Sequence, residues 1–146
     1  TCALPILLAL AERGGVDTDP VRSSVSLVRE LPFDSDRKRM TVVTLDARGR
    51  EVAHVKGSVE VLLPRCTAML SAAGVEAMTD ETREAVLAEA DAMSHDAYRV
   101  LALCERDRPE GDPEEKLTLL GLVGMIDPPG WASRMPSPHA ATQAFA

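Results

Sequence analysis

The chain has 146 residues, 45% of them hydrophobic, 27% charged and only 3% aromatic, with a formal net charge of −7 at pH 7. That length suits one domain with a substantial core, which must be built from Leu, Val, Ala and Met rather than from rings. The acidic balance argues against wrapping a nucleic-acid backbone or lying on an anionic membrane, and leaves room for one small anionic ligand held by a few local cations.

Residues 3–13, "ALPILLALAER", predict a short helix ended by Gly14 and Gly15. Nothing basic precedes this apolar stretch, so it does not read as a signal peptide, and no run approaches the ~20 residues of a membrane span. With no initiator Met, the chain reads as a piece of something larger. "VDTDPVR" predicts a loop. Val25, Leu27, Val28 and Leu31 suggest a strand leading to Phe33, and the charged cluster 34–39 follows. "MTVVTLD" and "EVAHVKG" are β-rich runs joined by Ala47-Arg48-Gly49-Arg50, a hairpin signature with Gly available for a positive φ.

"SVEVLLPRCTAML" is a helix candidate disturbed near Pro64. "TDETREAVLAEADAMSHDA" is the clearest helix: Thr79 or Asp80 can cap it, its first turn is acidic, and Val86, Leu87, Ala90, Met93 and Ala97 recur at helical spacing. "YRVLALCER" and "KLTLLGLVGMI" are apolar runs of strand length, expected at the centre of a sheet and separated by the loop "DRPEGDPEE". The Pro-rich end from Asp127 has no periodicity and reads as tail or linker. The order of elements predicts an α/β (α+β) domain, a mainly antiparallel twisted sheet flanked by helices.

Few catalytic signatures are present. GxGxxG, GxxxxGK[ST], HExxH and GxSxG are all absent from the chain. Cys2, Cys66 and Cys104 lack metal-like spacing and read as reduced, buried thiols. His54, His95 and His139 are scattered, so no dyad or metal ligand set follows from the linear pattern. Phe33 can be the last core residue before a solvated loop, or a flat platform beside a polar ligand. Lys56 can be a solvated strand end, and Arg99 a packed stem with its head in water.

Four segments taken together resemble the nucleotide-binding (N) domain of P-type cation-transporting ATPases, and within it the calcium-pump-like type II branch. They are "FDSDRKRM", "VKGSVEVLLPRC", "YRVLALCERD" and "LLGLVGMIDPP", in this order over residues 28–129. The resemblance implies the P-type N-domain fold for residues 1–129 and ATP as ligand, with Mg²⁺ in the intact pump. It implies that Phe33 stacks on adenine, that Lys56 lines the cavity near base and ribose, and that Gly57 lets the backbone come close to the ligand. Met40 would belong to the apolar wall, Leu101 would lie near the pocket, and Arg99 would reach the phosphates. A guanidinium suits that task because its fork makes paired charge-assisted bonds.

The family's pattern is not complete here. Its GDPTE-like Glu falls at Leu4, an Arg of some calcium pumps is Ser35, the KGAPE-like stretch reads KGSVE, and the basic residue after Asp127-Pro128-Pro129 is Gly130. Residues 130–146 resemble no part of the pump and are expected to be an irregular tail, native or not. The phosphorylated Asp of a DKTGT sequence and the later TGD and GDGxND elements do not occur in the chain, so hydrolysis by this fragment is not expected.

The resemblance therefore implies a cytoplasmic domain of an integral membrane protein that touches no membrane itself. It would present ATP to an aspartate on a separate phosphorylation domain, with that domain and the actuator domain as partners, and would swing on a hinge at Asp127, Pro128 and Pro129. The alternative is a nucleotide-incompetent regulatory or interaction module on the same scaffold. Ring stacking plus a few polar contacts predict an isolated-domain affinity of roughly 0.1–1 mM.

Overall fold

Among the described residues eight strands share one sheet, and the order across it explains which residues meet. The computed structural model describes residues 11–96, 98–126 and 140–143. A helical turn at residues 11–13 closes on Gly15 (φ 78°), as the glycine pair predicts. Helix α1 (Asp19–Ser23) then replaces the expected loop. Pro20 sits in its first turn, where a missing N–H costs nothing, and Asp17 Oδ1 accepts from Asp19 N at 3.1 Å.

Strands β1 (Val25–Asp34), β2 (Arg39–Asp46) and β3 (Glu51–Gly57) form an antiparallel meander. Its second turn is the expected one: Gly49 has φ 74°, and Asp46 Oδ1 accepts from Arg48 N and Arg50 N, each at 2.9 Å. The segment from Ser58 departs from the predicted single helix. It makes only a turn of helix, α2 (Val59–Leu62), and a 3₁₀ turn (Leu63–Arg65), then becomes strand β4 (Cys66–Ser71). Pro64 lacks the donor that a continuing helix needs, and Cys66 is already extended at φ −83°, ψ 129°. Gly74 (φ 116°) then turns the chain into β5 (Gly74–Ala77), an unexpected hairpin partner.

Helix α3 (Asp80–His95) matches its prediction, with Thr79 as N-cap accepting from Thr82 N at 3.1 Å. It buries Val86, Ala90 and Met93, whereas Leu87 faces outward. Strands β6 (Arg99–Asp107) and β7 (Leu117–Met125) are central, as expected. The order is β1-β2-β3-β6-β7-β4-β5, with β8 (Ala140–Gln143) also pairing with β7. Among the described residues, six pairings are antiparallel and one, β4 with β7, is parallel. The mainly antiparallel α/β (α+β) layered fold is therefore the one found. Four residues of the expected irregular tail are strand; Cys2, His139 and the rest of that tail lie outside the described residues.

Helices α2 and α3 cover one face of the sheet. Val59, Leu62, Val86, Ala90 and Met93 pack there against Val55, Ala102, Cys104, Leu117, Leu119 and Leu122. Arg83 of α3 donates to the carbonyls of Leu63 and Cys66, so the helix satisfies the backbone end of the 3₁₀ turn as it docks. The register puts Thr41, Val55, Cys104 and Leu119 in one row of this face. By alternation, the neighbouring residues of each strand face the other way.

Candidate functional site

That opposite face carries the candidate site. Met40 pairs with Lys56, and Lys56 with Leu103, so a thioether, an ammonium and an isobutyl group stand in one cross-strand row over β2, β3 and β6. Val42 and His54 form the next row beside it. With Val55 and Cys104 between them in the strands and Leu120 beyond, these residues line a cavity of about 400 Å³, walled mostly by carbon, with Lys56 and His54 as its charged and imidazole groups. A cavity of this size and make-up suits a flat heteroaromatic group better than a fully charged ligand.

Phe33 stands at the end of the Met40 row. The β1–β2 ladder runs from Leu31 opposite Thr41 directly to Asp34 opposite Arg39, so Pro32 and Phe33 together face Met40. This bulge breaks the strand's alternation and leaves Phe33 60% exposed, unusual for one of two phenylalanines in the chain. Phe33 is thus not a core residue. Ser35 follows in the exposed turn, which Asp34 organises: its carboxylate accepts from Asp36 N (2.7 Å) and Arg37 N (3.2 Å), and its carbonyl from Lys38 N (2.7 Å). These backbone N–H groups, first that of Asp36 and then that of Arg37, hold the Asp34 carboxyl below its usual 3.8.

Gly57 has a close neighbour within the chain itself. A Cβ there would lie 2.6 Å from the Lys38 carbonyl oxygen and 2.7 Å from Arg39 Cβ. The close approach is to the chain's own β1–β2 turn, which Ser58 N also ties by donating to the Lys38 carbonyl. Gly57 therefore shapes the site from beneath. On β6, Arg99, Leu101 and Leu103 share the face of the cavity by alternation. Four residues of strand put Arg99 about 13 Å along from Leu103. Arg99 is exposed and pairs with Met125, two residues before Asp127. Asp127, Pro128 and Pro129 lie outside the described residues.

Sequence comparison decides the family. The family described as "P-type ATPase, cytoplasmic domain N" matches residues 6–130. The chain belongs to this family. The N domain is 43% identical over 108 residues to calcium-transporting ATPase 1 of Bacillus cereus, covering 70% of the chain and 12% of that protein. It is 34% identical over 129 residues to calcium-transporting ATPase 1 of Lactococcus lactis, covering 84% and 15%. It is 33% identical over 118 residues to the sodium/potassium exporting P-type ATPase cta3 of Schizosaccharomyces pombe, covering 75% and 11%. The chain thus spans less than a sixth of the length of these relatives. Among the described residues of the N domain, no helix is long and apolar enough to cross a membrane.

Two features of the N domain's site were not foreseen from the sequence. His54 donates to or accepts from Thr44 Oγ1 through Nε2 at 3.0 Å, and lost hydration at the cavity wall pushes its imidazole below the usual 6.5, with Glu105 across the strand pulling the other way. Glu114, in the β6–β7 loop, is 3% exposed and takes up the charge of the cluster beside Phe33. Its Oε1 accepts from Arg37 Nη2 and Thr41 Oγ1, both at 2.7 Å, and its Oε2 from Arg39 Nε at 2.6 Å. Lys38 pairs at 3.6 Å with Glu60, an exposed pair of little weight. Arg37, Lys38 and Arg39 after Phe33 are thus each paired with a protein carboxylate. Sequence spacing gave no hint of Glu114, because its partners lie more than seventy residues earlier.

Proposed function

We propose that this N domain binds ATP across the open face of the sheet, with the adenine stacked on Phe33 and against Met40. Lys56 stands beside base and ribose, Ser35 offers a hydroxyl at the rim, Leu101 fills the wall between the two ends, and Arg99 takes the phosphates. One arrangement carries the reading: an exposed aromatic ring at the end of a Met–Lys–Leu row over an apolar cavity. Stacking needs only a π-face and is worth about 1–3 kcal/mol. A cavity walled mostly by carbon fits a ligand that is flat and uncharged at one end.

Phosphates at Arg99 would lie at the sheet end where β7 runs out towards Asp127-Pro128-Pro129. From there the γ-phosphate is offered to an aspartate on a separate phosphorylation domain, and the Pro-Pro segment serves as the hinge for domain closure. Mg²⁺ would travel with the phosphates, since the described residues hold no group of three or more His, Cys, Asp or Glu arranged for a metal. The parent protein is then a P-type pump that couples ATP hydrolysis to cation transport, with this domain on its cytoplasmic side, residues 1–129 as the nucleotide domain and the actuator domain as a further partner. Its relatives are named for calcium or for sodium and potassium; the ion is chosen elsewhere in the pump.

Calorimetric titration of the chain with ATP tests this. The reading predicts a Kd of roughly 0.1–1 mM, weakened about ten- to hundred-fold in Phe33→Ala. Undiminished binding by Phe33→Ala contradicts the stacking role. No binding by the unaltered chain points instead to a regulatory module on the same scaffold.

A further inference from the structure

We infer that Glu114 is a positioning residue for the ligand face: it locks the β1–β2 turn, and through it the Phe33 platform, without touching the ligand. The inference rests on the nucleotide reading above and goes beyond it by assigning a role to a residue on the other side of the sheet. Thr41 belongs to the helix-covered face, and Glu114 reaches the hairpin from there, whereas Met40 and the cavity lie opposite.

The geometry is that of a clasp. One carboxylate gathers the guanidinium groups of Arg37 and Arg39 and the hydroxyl of Thr41 at 2.6–2.7 Å. Arg39 also donates to the Arg37 carbonyl at 3.1 Å, which closes the turn on itself. Arg37 in turn is one residue before Lys38, whose N–H bonds the carbonyl of Asp34, the neighbour of Phe33. The loop that carries Glu114 is itself braced. Glu114 N donates to Asp112 Oδ1 at 2.9 Å, and the Arg106 guanidinium donates to the carbonyls of Asp112 (2.5 Å) and Glu110 (3.0 Å). A buried carboxylate is tolerated only when its lone pairs are filled, so each partner fixes the others. A bulged strand lacks the ladder bonds that would otherwise hold Phe33 in place. The clasp supplies that constraint, and a platform displaced by a fraction of an ångström no longer offers its face to a base.

Four variants of the full chain test this: Glu114→Gln, Glu114→Asp, Arg37→Gln, and Val86→Ala as a destabilised control in α3, away from the site. ATP and adenosine affinities are measured by calorimetry, and backbone amide shifts by NMR. For Glu114→Gln the inference expects about a three- to ten-fold loss for both ligands, less than removal of the Phe33 ring. The amides of Phe33, Ser35 and Met40 should shift while those of Leu62 and Val86 stay in place. Glu114→Asp should recover part of the loss, and Val86→Ala should leave affinity unchanged at comparable loss of stability. Should Glu114→Gln not fold, Arg37→Gln, which removes the more exposed guanidinium, is expected to show a smaller change of the same kind. Unaltered affinity in folded Glu114 and Arg37 variants, or an equal loss in Val86→Ala, overturns the inference while ATP binding by the unaltered chain stands. Failure of the unaltered chain to bind ATP overturns the nucleotide reading and this inference together.

Discussion

Gly57 and Lys38 are in backbone contact across the sheet: the space for a Cβ on Gly57 is filled by the Lys38 carbonyl oxygen at 2.6 Å. Because the obstacle is backbone, relief requires the β1–β2 turn to move. Gly57→Ala is expected to cost about 1–3 kcal/mol in chemical denaturation, as overpacking does, and to shift the amides of Lys38 and Arg39. An unchanged denaturation midpoint would show that the turn gives way freely.

Arg99 and Phe33 stand at opposite ends of the proposed ligand and should fail differently. Arg99→Ala is expected to weaken ATP by roughly ten-fold or more, because a guanidinium–phosphate bond is charge-assisted, and to leave adenosine nearly untouched. Phe33→Ala should weaken both equally. Parallel losses of ATP and adenosine in Arg99→Ala contradict the phosphate role.

The thiols of Cys66 and Cys104 lie 3.6 Å apart in the core, and Cys66 also donates to the Leu62 carbonyl at 3.3 Å. The hydrogen bond with Cys66, and burial after it, push the Cys104 thiol far above the ordinary range. Both thiols are buried, so in a Cys2→Ser background both should react with a thiol reagent at pH 8 only as the domain opens, orders of magnitude more slowly than in denaturant. Fast labelling of the folded chain would contradict the burial of this pair.

His54 makes stability depend on pH in a defined direction. Its folded pKa lies below the usual 6.5, so the unfolded chain binds the proton more readily. The contribution is complete above 6.5 and is lost as pH falls through the window beneath it. His54→Gln should flatten the stability profile below pH 6.5, and an NMR titration should place the His54 midpoint below 6.5. A midpoint at or above 6.5 contradicts the desolvation assigned to the cavity wall.

What could be read in the sequence followed from how local each signal is. Helix α3 carries its own cap and period, and the β2–β3 hairpin its own turn residues, so both are where they were expected. The Ser58–Ser71 stretch misled because an apolar run after a helical turn suits helix and strand alike. Its strand half is decided by β7, more than forty residues downstream. Phe33, Met40, Lys56 and Leu101 were singled out by type and order, whereas the cross-strand row of Met40, Lys56 and Leu103 comes from the register. The packing of Gly57 against the Lys38 carbonyl could not be read in advance, since no linear pattern shows what fills the space above a glycine. Glu114 was invisible for the same reason: a buried carboxylate is recognised by its partners, and these are set by tertiary structure.

The most direct test of the central claim is an NMR titration of the ¹⁵N-labelled chain with ATP. Binding on the open face predicts saturable amide shifts at Phe33, Ser35, Met40, Lys56 and Leu103, with Arg99 responding to ATP more than to adenosine and Leu62 and Val86 on the helix-covered side unmoved. No shifts at saturating ATP, or shifts confined to the α3 side, would contradict the account.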